Sequence, residues 1–193
     1  VAYVEETFYL SVAKFDGKNW SDAGKRKFTG RIANYAELYD ATEEIFVSFT
    51  LDKSGVPYVA YSTKETISTS KFYLNVMKYS VENDKWEKVG SSVATRNLVK
   101  SISINVDSKG IPYVAFSECA HEGCEKINDD NLNYTIDSTS VMKFENDEWK
   151  YVGEPMFMYD PEKEIGAGVN SVFIDSKDVP VVSLFSDGKH FLF

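Results

Sequence analysis

The sequence predicts an all-β protein, a propeller-like array of four-stranded antiparallel blades with about three and a half repeats in one domain over residues 1–193. Two observations carry that expectation. Phe (13) and Tyr (12) are abundant while Pro (5) is scarce, a mix that favours strands with rings packed on cross-strand neighbours. Two kinds of hairpin also alternate along the chain, each with side chains of period two.

The first hairpin, strands A and B, runs Ile45–Ser62 and recurs at Ile102–Ser117 and Val172–Ser183. Its turn opens on Asp52, Asp107 or Asp175, whose carboxylate can accept backbone N–H groups. Gly55 and Gly110 supply a positive φ that the turn needs, and Asp178 must supply it in the third copy. Pro57, Pro112 and Pro180 open the return strand, where a missing N–H is tolerated.

The second hairpin, strands C and D, covers Leu10–Trp20, Leu74–Gly90 and Ser140–Gly153. Each copy has an apolar-Lys-aromatic step, a polar turn and then Trp20, Trp86 or Trp149. Equivalent placement of the three tryptophans predicts packing between units rather than sugar stacking. Val1-Ala2-Tyr3 matches Val59-Ala60-Tyr61, and His190-Phe191-Leu192-Phe193 reads as an incomplete C strand. The order is therefore B-C-D, A-B-C-D, A-B-C-D, A-B-C, in units at about 1–24, 45–90, 101–153 and 169–193.

The phrases Gly-x-Pro-Tyr-Val-Ala-(Tyr/Phe)-Ser, at Gly55 and Gly110, and Val-Met-Lys-(Phe/Tyr)…Trp-x-x-Val-Gly resemble repeats of bacterial secreted or surface β-propeller proteins. The resemblance implies a binding or display role. The turn Phe15-Asp16-Gly17-Lys18-Asn19-Trp20 is distantly similar to the Asp-box of sialidase-type propellers, with Lys14 where that pattern has Ser or Thr. It implies a structural turn and no sialidase chemistry. Fourteen strands do not divide into four-stranded blades, so the chain reads as a segment of a larger ring, a capped array or one closed by another chain. Its unpaired edge strands invite self-association.

A net charge of -9 opposes phosphate backbones and excludes nucleic acid as the expected partner, Lys25-Arg26-Lys27 with Arg31 being the sole basic run. No apolar stretch is long enough to cross a bilayer, so no membrane insertion is expected. The chain opens on Val1, which reads as a processed product or a fragment.

Propeller ligands are commonly held where the D-to-A and B-to-C connections meet, an argument from fold analogy. The D-to-A connections lie near 25–44, 91–100 and 154–168. They offer Arg31, Tyr35, Arg96, Asn97, Tyr159 and Asp160 as ligand-binding candidates, with Asn34 and Tyr39 beside them. Arg, Tyr and Asn combine flat apolar area with directional hydrogen bonds, and solvated loops have the same composition. Residues Ala33–Tyr39 have the spacing of a short helix.

Cys119 and Cys124 are the two cysteines, so one internal disulfide is expected in a B-to-C loop, which suits an extracellular or cell-surface protein. A metal site using His121, Glu122, Asp129 and Asp130 is the rival, but the spacing matches no zinc or calcium motif. No cofactor is expected. Catalytic elbows, zincin helices and phosphate loops are absent, which makes an enzyme less expected. The leading functional expectation is a secreted or surface module that binds a protein or glycan. A structural assembly segment and a carboxylate-dependent glycoside hydrolase are the alternatives.

Overall fold

A computed structural model describes residues 2–5, 9–29, 46–64, 72–97, 99–120, 137–163 and 166–185. These form four antiparallel sheets of consecutive strands. The first sheet holds β1 (Ala2–Glu5), β2 (Tyr9–Phe15) and β3 (Trp20–Asp22). The second holds β4 (Val47–Leu51), β5 (Pro57–Lys64), β6 (Phe72–Ser80) and β7 (Lys85–Lys88), with β8 (Val93–Thr95). The third holds β9 (Val99–Val106), β10 (Pro112–Cys119), β11 (Asp137–Glu145) and β12 (Glu148–Tyr151). The fourth holds β13 (Gly168–Ile174) and β14 (Pro180–Phe185).

The Asp turns form as the sequence predicts. Asp52, Asp107 and Asp175 each accept two backbone N–H groups on Oδ1 at 2.8–2.9 Å. Gly55 and Gly110 adopt φ of 79° and 83°, and Asp178 takes the same left-handed pose at 62°. Asp178 is held there because its carboxylate accepts from Ser108 N–H at 2.9 Å and Ser108 Oγ–H at 2.6 Å, joining two sheets. Those bonds lower its pKa. The Asp16 turn is built likewise, with Oδ1 accepting from the Lys18 and Asn19 N–H groups.

One strand escaped the sequence reading. The second sheet continues past β7 into β8 along the same edge of β6, because a bulge at residues 89–92 resets the register. Ser92 Oγ–H donates to Asn75 Oδ1 at 2.6 Å across that bulge. Part of the expected 91–100 connection is thus strand.

Three apolar cores separate the four sheets in chain order. Leu10, Val12 and Ala23 of the first meet Val59, Tyr61, Met77 and Trp86 of the second. Tyr58, Ala60, Leu74 and Val76 meet Ile104, Val114, Phe116 and Met142 of the third. Ala115 and Val141 meet Val169 and Val172 of the fourth. The A strands are also stitched through serines at one repeat position, four residues before the turn Asp. Ile104 N–H donates to Ser48 Oγ at 3.1 Å, and Val172 N–H donates to Ser103 Oγ at 2.9 Å.

The expected propeller is not formed, which corrects both the fold class and the likeness to propeller repeat proteins. The four sheets are separate, and among the described residues no ladder joins any two of them or closes a ring. The repeat phrases specify a hairpin and its contact with the next sheet, and neither requires closure. On the outermost sheets Phe15, Trp20, Phe173, Val181 and Phe185 remain more than half exposed, at 53%, 59%, 56%, 52% and 51%.

Candidate functional site

One end of the third sheet gathers most of the described candidate residues. The N-termini of β9 and β11 and the C-termini of β10 and β12 point to the same side in this antiparallel sheet. The turn holding Arg96 and Asn97 enters β9 there, Cys119 ends β10, and Met156–Asp160 follow β12.

Glu118 organises this end. It is 2% exposed, and its Oε2 accepts from Arg96 N–H at 2.7 Å and Asn97 N–H at 3.1 Å. Desolvation raises its pKa, opposed by those two N–H groups and by the Arg96 charge. Asn97 is buried and donates Nδ2–H to the Cys119 carbonyl at 2.8 Å, so it is a structural tie. Arg96 stays exposed, with Nη1 3.3 Å from Met156 Sδ. The charges of Glu118 and Arg96 act in opposite directions on the Tyr151 phenol, whose pKa rises mainly through burial. At the same sheet end, Lys100 Nζ and Asp137 Oδ1 pair at 2.9 Å.

The remaining candidates divide. Tyr159 N–H donates to the Met156 carbonyl at 3.1 Å, on the same side as Arg96. Asp160 caps its own turn, accepting from Glu162 N–H and Lys163 N–H and pairing with Lys163 Nζ at 2.9 Å. The Lys163 ammonium is the main cause of its lowered pKa. Arg31, Tyr35, Asn34, Tyr39 and the expected helix at 33–39 lie outside the described residues, as do His121, Glu122, Asp129 and Asp130. Among the described residues no group of three His, Cys, Asp or Glu could hold a metal ion.

Cys119 is buried at the end of β10 and disulfide-bonded, and Cys124, the other cysteine of the expected pair, lies outside the described residues.

Sequence reasoning missed Glu118. The one signal was a carboxylate in a strand with no other charged residue, where the second unit has Thr63. Its chemistry is that of a clamp, since Oε2 is committed to two backbone donors. The folded-state pKa lies above the ordinary 4.5, so its stabilising contribution is full below that value and is lost as pH rises through the folded pKa. Glu118→Gln keeps an acceptor for both N–H groups without burying charge. We expect this variant to gain in melting temperature relative to the parent as pH rises from about 4 to 7. Parallel pH profiles for the two proteins would refute the assignment.

No protein-family model matches the chain, and no curated protein matches it. Among solved structures the chain is similar to a fucose lectin from Kordia zhangzhouensis in complex with methyl-fucoside, at 13% identity and a TM-score of 0.38. The alignment covers 80% of this chain and 89% of that one, a likeness too distant to assign a family, fold or ligand.

Proposed function

We propose that the protein is a secreted or surface binding module, not a catalyst, and that it engages a protein or glycan through the sheet end bearing Arg96. The observation that supports this reading is the division of labour around Glu118. Its carboxylate and Asn97 fix the backbone, and the Arg96 guanidinium stands exposed over Met156. A pre-positioned guanidinium offers several N–H donors in a plane and loses little entropy on binding. Tyr151, 44% exposed, supplies an aromatic face in the same electrostatic neighbourhood.

The test is a glycan array together with a protein-partner screen, followed by Arg96→Ala against every hit. The substitution is expected to weaken binding at least about tenfold, or about 1.4 kcal/mol, with an unchanged melting temperature. Hits that survive the substitution would remove this sheet end from the binding surface.

A further inference from the structure

Among the described residues Arg96 has no ion-pair partner, whereas Lys100 at the same sheet end pairs with Asp137 at 2.9 Å. Glu118 acts on the Arg96 charge at longer range, and its Oε2 is already committed to the Arg96 and Asn97 N–H groups. Burial works against the Glu118 negative charge, so the guanidinium is poorly compensated. Its Nη1 lies 3.3 Å from Met156 Sδ. A thioether is a weak acceptor, and a charged oxygen in its place makes a much stronger bond.

The face of the sheet defines what stands beside that cation. Tyr151 lies directly opposite Met142, and Met142 belongs to the core between the second and third sheets. Directly opposed residues share a face, so Tyr151 stands on the side turned to the second sheet. Glu118 is two residues from Phe116 of the same core and is on that side as well. Arg96, in the turn from β8 to β9, therefore borders the same seam as Tyr151, and its charge reaches the Tyr151 phenol. The Tyr151 side chain is 44% exposed.

An uncompensated guanidinium beside an aromatic face suits a carboxylate attached to a ring. The carboxylate takes the fork of N–H donors, and the C–H face of the ring covers the phenol. An acidic sugar joins both groups in one rigid unit. A peptide carboxylate sits on a flexible stem and gives up more rotamer freedom when it is held. The net charge of -9 disfavours polyanions with many charges, but a single carboxylate in contact with Arg96 is governed by its near neighbours. We propose that the Arg96 end takes a uronic acid residue of a glycan, with its carboxylate on Arg96 and its ring against Tyr151. This rests on the reading of that sheet end as the binding surface and adds the class of ligand.

The test is NMR of the full chain titrated with methyl glucuronide and methyl galacturonide, each compared with its uncharged methyl glycoside. At least one uronide is expected to shift the Arg96 Nε–H, Tyr151 and Met156 signals with Kd below about 10 mM, at least about tenfold tighter than its neutral counterpart. Arg96→Gln is expected to remove that preference, and added salt to weaken the uronide but not the glycoside. Equal affinities, a preference that survives Arg96→Gln, shifts centred elsewhere, or no binding would each overturn the proposal. So would tighter binding at the same residues by a short peptide with a single Asp. Neutral glycosides that bind at Arg96 as well as the uronides do would leave the binding surface standing and remove only the carboxylate. Hits from the glycan and partner screens that survive Arg96→Ala remove the surface itself.

Discussion

Trp86→Ala is expected to destabilise the protein by about 3–5 kcal/mol, the range for truncating a buried Trp or Phe. The side chain is 8% exposed in the core that joins the first two sheets. Three separate interactions end with it. Its ring stacks on Phe28 at 4.4 Å and tilts against Tyr79 at 5.5 Å, and its indole N–H satisfies the Ala23 carbonyl. Removal leaves a cavity between two sheets that share no backbone ladder and are otherwise joined by the packing of Leu10, Val12 and Ala23 on Val59, Tyr61 and Met77. Trp86→Phe keeps most of the apolar area and loses the hydrogen bond, typically about 0.5–1.5 kcal/mol. The measurement is urea unfolding of both variants, with the first sheet followed by hydrogen exchange at Leu10 and Val12. A cost for Trp86→Ala no greater than that of Trp86→Phe would refute this role for the ring. By contrast, Trp20→Ala should be nearly silent, because that ring is 59% exposed.

The contrast between Trp86 and Trp20 marks what was legible in the sequence. Strands and turns were readable because period-two patterning and the Asp-x-x-Gly turns act within a few residues. Packing of the tryptophans between units was readable from equivalent positions, and it holds for Trp86 and Trp149. Ring closure was not, because it depends on whether the outer faces of the first and last sheets meet. Nothing in Phe15, Trp20 or Phe173 as letters distinguishes a covered face from an open one. Strand β8 was missed for another reason. Gly90-Ser91-Ser92 has the composition of a loop, and the Ser92–Asn75 bond that spans the bulge joins residues 17 apart. At the candidate site, Arg96 and Asn97 were found by type but not by role. Burial of Asn97 and the dependence of both backbones on Glu118 are tertiary facts.

Gly90→Ala is expected to cost more than Gly24→Ala, and Gly24→Ala more than Gly153→Ala. All three residues sit at φ between 69° and 75°, so each alanine bears about the same left-handed penalty, about 1–2 kcal/mol. The differences come from what each new methyl meets. At Gly90 the new methyl overlaps the Phe144 ring, which is tilted against Trp149 at 5.4 Å. Forced shifts in a packed interface add about 1–3 kcal/mol, for a total of about 2–5. At Gly24 the nearest atoms are Tyr79 Cε2 at 3.1 Å, which a small ring movement relieves, and the Asp84 carbonyl at 3.3 Å, which must shift by a few tenths of an ångström. At Gly153 the methyl points into open space and adds nothing to the backbone penalty. Chemical unfolding of the three alanine variants, with Gly→Asn controls that tolerate the left-handed pose better, separates strain from overlap. Equal costs at Gly90 and Gly153 would mean that the Phe144 ring does not fill the space beside Gly90. The repeated tryptophan contact would then not hold the sheets together.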